Sequence, residues 1–239
     1  PMWRAVKDRE VSEPLTAPAD IPPPEQWPES ETLEDWALGA EMRRGAQVVG
    51  GHVDAGERAA QQALATFARH RIDAYATRRN YPGEAASLGE ISPRQCWHAG
   101  VRAHEEGKAG AETFLKELVW REFAYHLMYH TPQILTENWR SEWNDFAWTE
   151  DADADAVRAW QQGRTGVPFV DAAMREMYVT GRMHNRARMI CASYLTKHLM
   201  CHWKIGADWF RDCLVDWDPA SNAMGWQWAA GCGPDAAPY

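Results

Sequence analysis

From Asp54 onward the apolar residues of this chain recur at intervals of three and four, segment after segment, and no stretch alternates apolar with polar residues as a half-buried strand does. This constrains the fold most, because a 3.6-residue period gathers side chains on one face of a helix and scatters them over both faces of a strand. The clearest case is Pro168–Thr180. Val170, Ala173, Met174, Met177 and Tyr178 fall at i, i+3, i+4, i+7 and i+8, Pro168 suits the first helical position and Gly181 supplies a stop. Upstream, Asp54 is placed to cap a helix with Glu57 at the capping-box position, and Leu64, Ala68, Ile72 and Tyr75 carry the pattern on for about six turns. Further helices are expected at 92–106 with Pro93 leading, and at 111–129, 154–161 and 185–203, with a short one at 209–215. The expected class is all-α.

Residues 1–53 read differently. Pro14, Pro18, Pro22, Pro23, Pro24 and Pro28 break any long helix and the acids lack apolar periodicity, so this part is expected to be a Pro-rich acidic linker or arm, with one short helix at 32–44. The helical part is 54–239. Net charge is −9, which argues at first against a nucleic-acid partner, but the charge is uneven. Nine acids and no Lys or Arg fall between Glu10 and Met42, whereas six bases face the single Glu176 between Arg175 and Lys204, so a local anion-binding face is compatible with an acidic total. No apolar run reaches the roughly 18 residues of a membrane span, and no basic-then-apolar leader opens the chain; a cytoplasmic monomer without membrane contact is expected. Cys96, Cys191, Cys201, Cys213 and Cys232 are odd in number and form no C-x-x-C pair, which excludes a disulfide framework or zinc ribbon. His126 with His130, and His198 with His202, stand at i, i+4 without an H-E-x-x-H core, and no metal is expected.

On the 111–129 helix Glu117, Trp120, Arg121 and Ala124 share a face; on the 185–203 helix Asn185, Arg188, Met189, Ala192 and Thr196 do the same. Alone, each is equally a solvated charged face. The segment 216–231 adds two carboxylates (Asp216, Asp218), the amide of Asn222, the indoles of Trp226 and Trp228, and many Gly and Ala. Small residues admit a planar ligand to the backbone, and the polar groups can hydrogen-bond its rim, a combination suited to a flat polar heterocycle. No Ser–His–Asp or Cys–His arrangement and no Gly-rich nucleotide loop is present.

The runs Leu118-Val119-Trp120-Arg121-Glu122-Phe123, Thr165-Gly166-Val167-Pro168-Phe169-Val170-Asp171-Ala172-Ala173-Met174-Arg175, Met183-His184-Asn185-Arg186-Ala187-Arg188-Met189 and Trp226-Gln227-Trp228-Ala229-Ala230-Gly231 resemble the flavin-binding helical domain of the DNA photolyase and cryptochrome family. The match runs in order from about Tyr75 to the end and is nearest to cyclobutane pyrimidine dimer photolyases. The resemblance implies FAD as cofactor and UV-damaged DNA as partner. It also implies a carbon–carbon lyase reaction in which light-driven electron transfer from reduced flavin opens the dimer. It places Tyr75, Ser87, Arg121, Asn185, Arg188, Asp216, Asp218 and Asn222 around the FAD, with Asn222 toward flavin N5, where photolyases carry Asn. Glu117 would hydrogen-bond the damaged pyrimidines, Trp120 and Trp228 would stack on them beside Met189, and Arg79 and Arg186 would hold flanking phosphates. Ten of the fourteen tryptophans lie between 120 and 228. Three of these, Trp226, Trp203 and Trp148 from the flavin outward, match the family's electron relay, with Trp143 or Trp139 as the alternative exit.

The sequence also departs from the family. Between Pro82 and Gly89 only Gly83-Glu84-Ala85-Ala86-Ser87-Leu88 stands where the family has a longer Thr-Ser-x-Leu-Ser segment for the FAD phosphates, and Arg182 replaces a usual Trp. The family's N-terminal α/β antenna domain has no counterpart here, so no antenna chromophore is expected, and the C-terminal end is expected to be truncated. Two other readings stay open: a cryptochrome-like blue-light receptor, and a DNA-binding chain that no longer holds FAD.

Overall fold

The structure is a computed structural model and describes residues 2–40, 46–77 and 90–235. Ten α-helices are found among the described residues: α1 (Met2–Val6), α2 (Ala46–Gly50), α3 (Glu57–His70), α4 (Pro93–Glu105), α5 (Ala111–His130), α6 (Asp155–Gln161), α7 (Pro168–Thr180), α8 (Asn185–Ser193), α9 (Trp203–Cys213) and α10 (Pro219–Ala230). The all-α expectation holds; among the described residues the backbone pairing of β type is one isolated parallel bridge, Thr149 with Cys201.

Local signals explain most helix ends. The Ser92 side chain accepts from the Gln95 backbone N–H while the Gln95 side chain accepts from the Ser92 backbone N–H, a complete capping box ahead of Pro93. α7 ends at Gly181, whose φ of 73° is the left-handed conformation that Gly adopts without strain.

Five expectations are corrected. Asp54 caps nothing: α3 begins after Gly56 at φ 107° with no side-chain cap, and it ends at His70 instead of running six turns to Tyr75. Residues Ile72–Ala76 instead tighten into a 3₁₀ turn, because the Asp73 carboxylate receives the Lys108 ammonium and the Ala109 backbone N–H, both at 3.2 Å. The close approach requires Gly110, where a Cβ would sit 1.8 Å from the Ile72 carbonyl oxygen. The single helix expected at 185–203 is interrupted: Tyr194–His198 form a π turn and Met200 takes a φ of 55°. Thr149 N–H donates to the Met200 carbonyl at 2.8 Å and His202 N–H donates to the Thr149 carbonyl at 2.9 Å, diverting the backbone groups that a continuous helix would pair. A new helix then starts at Trp203 and absorbs most of the short one expected at 209–215. Residues 219–230, read as a small-residue segment, form α10, capped by Asp218 and stopped by Gly231 at φ 94°. At 32–44, the described residues 32–40 form turns, and the remainder lies outside the described residues.

The main core gathers Val157, Trp160, Val170, Met174, Met177, Leu195, Trp203, Phe210 and Trp226 from α6 to α10 and the π turn. A smaller core joins Phe67, Ile72, Ala103 and Ala111, with Tyr75 and Phe114 against it. α10 packs on α5, α8 and α9 and so joins the helices that carry the candidate site. In the arm, the Trp3 ring of α1 lies 6.4 Å from Trp97 of α4, and the Lys116 ammonium of α5 lies 5.6 Å from the Trp3 ring.

Candidate active site

One cavity collects chemistry from α8, α9, α10 and the turn between the last two: its walls include Asn185, Arg188, Met189, Asp216, Asp218, Asn222 and Trp226. All seven are residues singled out from the sequence. Phe210, Leu214, Trp217, Ser221 and Gly225 line it too.

Arg188 is locked in place. Its Nη2 donates to both Asp216 carboxylate oxygens, at 2.9 and 2.8 Å, and its Nε donates to the Met183 carbonyl at 2.8 Å. A half-buried pair of this geometry fixes both side chains, and Nη1 is the guanidinium group left to meet a ligand. Asn222 is anchored as firmly, its Nδ2 donating to the Ala207 carbonyl at 3.1 Å, which leaves Oδ1 as the acceptor of that side chain. Asp218 serves the fold: one carboxylate oxygen accepts from the Ser221 backbone N–H at 2.7 Å as the cap of α10, and the other accepts from the Tyr125 hydroxyl of α5. That hydrogen bond, then burial, then the nearby Asp218 charge push the Tyr125 phenol above its ordinary range and keep it neutral.

Trp226 owes its position to a glycine. A Cβ on Gly206 of α9 would stand 2.0 Å from the Trp226 ring, so only Gly lets the indole lie against α9. Phe210 meets this indole edge-on at 4.9 Å and Trp160 at 6.0 Å. The buried Nε1 atoms of Trp226 and Trp217 find no acceptor among the described residues, and a Cβ on Gly225 would meet nothing within 4 Å. Anchored Asn and Arg groups, an apolar wall and an open glycine face fit the ring system of a flavin.

The other sequence-derived residues lie around this cavity or away from it. Arg121 does not line it; its guanidinium sits 4.5 Å over the Tyr125 ring and pairs with Glu122. Tyr75 packs edge-on to Phe67 at 5.3 Å and Phe114 at 5.9 Å in the smaller core, outside the cavity walls. Glu117 is half-buried on α5, Trp120 one turn later is 55% exposed, and Trp228 is half-buried on α10. Arg186 is exposed at the start of α8, its backbone N–H donating to the His184 ring at 3.2 Å. Arg79 and Ser87 lie outside the described residues. Trp203, 1% exposed, donates its Nε1–H to Asn138 at 2.8 Å and stands one turn ahead of Gly206 on α9. Trp148 is half-buried and stacks on Trp143, itself half-buried, at 6.0 Å. Sequence reasoning missed Tyr125 and Gln227. Tyr125 follows Arg121 by one helical turn. Gln227, fully buried, donates to the Ile134 and Glu137 carbonyls at 2.7 and 2.9 Å and accepts from the Trp139 N–H at 2.7 Å.

Residues 114–239 match the family model described as the FAD binding domain of DNA photolyase. The chain belongs to the DNA photolyase family. A deoxyribodipyrimidine photo-lyase of Agrobacterium fabrum is 41% identical over 250 residues, covering 100% of this chain and 52% of that protein. The crystal structure of a bacterial class III photolyase from Agrobacterium tumefaciens superposes with a TM-score of 0.90 at 39% identity, over 100% of this chain and 51% of that one. A Synechocystis cryptochrome structure gives a TM-score of 0.70 at 33% identity, over 78% of this chain and 41% of that one. This photolyase-family chain thus spans about half the length of the curated relatives it matches.

Proposed function

We propose that this chain holds FAD and, with the flavin reduced and illuminated, splits cyclobutane pyrimidine dimers in DNA. The observation that carries this reading is the meeting of Asn185, Arg188, Asp216, Asn222 and Trp226 at one cavity. When bound, light-excited reduced flavin supplies the electron that opens the cyclobutane ring and takes it back afterwards. The chain's own part is to position and to exclude water. Arg188, held by Asp216, offers charge to the polar edge of the flavin, and Asn222 offers Oδ1 as acceptor for the N5–H of the reduced ring.

Trp120, with half its surface exposed, and Trp228 provide stacking faces, and Glu117 a carboxylate acceptor, for a dimer extruded from the duplex. Extrusion costs a few kcal/mol, less where damage has weakened pairing, and stacking returns roughly 1–3 kcal/mol per base. No nucleophile is required. Trp226, Trp203 and Trp148 are assigned as the path by which electrons reach oxidised flavin from the surface.

The test is illumination of flavin-loaded, chemically reduced protein with an oligonucleotide bearing one dimer. Regenerated monomer bases, resolved by chromatography, are expected; a loaded sample that repairs nothing overturns the reading. The likeness to the cryptochrome structure favours one alternative, a photoreceptor, and blue-light flavin reduction without repair would establish it. A purified chain that takes up no flavin would favour the other alternative, a DNA-binding chain that no longer holds FAD. Glu117→Ala should weaken binding of the damaged oligonucleotide about tenfold, the loss of one charge-assisted hydrogen bond, while flavin absorbance stays unchanged.

A further inference from the structure

The His202 ring stands between two members of the tryptophan series, its centroid 5.5 Å from Trp203 and 5.7 Å from Trp148. It is also the N-cap of α9: its Nδ1 accepts from the Lys204 backbone N–H at 3.1 Å. An imidazole that accepts at Nδ1 is neutral and carries its proton on Nε2. Adding a second proton removes the acceptor, uncaps the helix whose first residue is Trp203 and places a positive charge beside both indoles.

We propose that His202 is a charge-sensitive gate in the tryptophan relay, open to an electron vacancy leaving Trp226 for Trp203 and Trp148 when neutral and closed to it when protonated. The inference rests on the relay reading above and adds its regulation. The electron balance is simple. Trp226 gives one electron to photoexcited oxidised flavin, Trp203 refills Trp226, Trp148 refills Trp203, and an external thiol in solution refills Trp148. His202 exchanges no electron. Its charge acts on the Trp226-to-Trp203 step, because a cation almost equidistant from Trp203 and Trp148 repels a cationic indole at both and so opposes entry of the vacancy onto that pair. The Lys204 ammonium, 5.9 Å from the Trp203 ring, already sets one positive charge there, so a second is added to an unfavourable field.

The surroundings favour the open state at neutral pH. Burial, then the Lys204 charge, lower the His202 pKa below its ordinary 6.5, while Glu150 in the loop after Trp148 opposes them. On the segment before His202, the Cys201 thiol is pushed up by burial and by Asp151 and stays uncharged. The gate therefore closes on acidification below 6.5.

Two measurements on the full chain test this. Selective labelling of histidine Cε1 follows the His202 titration by NMR, with and without flavin. In parallel, the initial rate of blue-light flavin reduction in the presence of a thiol is recorded from pH 8 to pH 5. The rate should fall about tenfold with acidification, at the midpoint that the His202 resonance shows. In His202→Asn, which still caps α9 but cannot charge, the rate should stay within twofold across the range, and His202→Ser should agree. An unaltered pH profile in both variants, or an NMR midpoint that does not match the wild-type rate profile, overturns the gate. Trp148→Phe and Trp203→Phe read the relay itself: if neither slows flavin reduction at pH 8, the relay assignment falls and the gate with it. If both slow it and His202→Asn keeps the wild-type profile, the gate alone falls.

Discussion

At the scale of single residues, the cavity depends on side chains that touch no ligand. Gly206 is one. Its replacement by Ala drives a methyl into the Trp226 ring, and overpacking of a rigid aromatic core costs about 1–3 kcal/mol. Gly206→Ala should therefore lower the midpoint of denaturant unfolding and alter the near-ultraviolet dichroism of the buried indoles. Tyr125 is another. Its hydroxyl meets the carboxylate that caps α10, so Tyr125→Phe leaves one oxygen of Asp218 without its protein donor while the Ser221 cap remains. A loss of about 1 kcal/mol is expected, the ordinary worth of such a bond. Asp218→Ala removes cap and partner together and should lose about 2 kcal/mol, with flavin occupancy falling because α10 carries Asn222 and Trp226. Chemical denaturation of the three variants ranks them, and an order in which Tyr125→Phe is worse than Asp218→Ala would contradict this account.

At the scale of elements, caps and tertiary hydrogen bonds decide where helices begin and end. Asp171 gathers the loop before α7. Its carboxylate accepts from Thr165 N–H and hydroxyl at 2.7 and 2.6 Å and from Gly166 N–H at 3.0 Å. Burial alone would push Asp171 up, but those bonds, helped by Arg175, hold it below the ordinary 3.8. The folded value is the depressed one. Its stabilisation is therefore full above the unfolded pKa and is lost as pH falls through the lower folded value, so Asp171→Asn should flatten the stability profile below about pH 4. Gln227 pins the 134–139 segment onto α10. Gln227→Leu leaves a buried carbonyl, a part-buried carbonyl and a part-buried N–H without their protein partner and should cost about 2 kcal/mol, read as a lowered unfolding midpoint. The same physics separates what could be read in the sequence from what could not. Pro168–Thr180 and the helix led by Pro93 were legible because propensity, period and end signals agree within a dozen residues. The break after Tyr194–His198 was not, because Thr149, some fifty residues earlier, draws off the backbone groups. α10 escaped because it is apolar on most sides and central to the fold, so no polar stripe marks its period, although Asp218, Pro219 and Gly231 are legible ends. Asn185, Arg188, Asp216, Asn222 and Trp226 were found from local motifs, whereas Gly206 and Gln227 matter through contacts that only the folded chain makes.

At the scale of the whole molecule, the proposed function asks an acidic chain to engage a polyanion, and the charge distribution sets how. The acids between Glu10 and Met42 lie in the arm, while Arg186 is exposed at the start of α8, the helix that also gives Arg188 and Met189 to the cavity. DNA binding should therefore be local, modest and sensitive to salt. Each phosphate neutralised contributes a slope of about −0.9 in log K against log salt, so the two contacts assigned to Arg79 and Arg186 give about −1.8. Arg186→Ala should bring that slope toward about −0.9, weakening damaged and undamaged duplexes alike, because a phosphate contact carries no information about the lesion. Trp120→Ala should act in the opposite sense. It leaves the slope unchanged and lowers the preference for damaged DNA, since the indole offers a stacking face and no charge while Trp228 and Glu117 remain. Titrations of both duplexes at several salt concentrations separate the two effects. If Arg186→Ala lowered the preference for the lesion while keeping the wild-type slope, the division between phosphate-holding and lesion-holding residues would have to be redrawn.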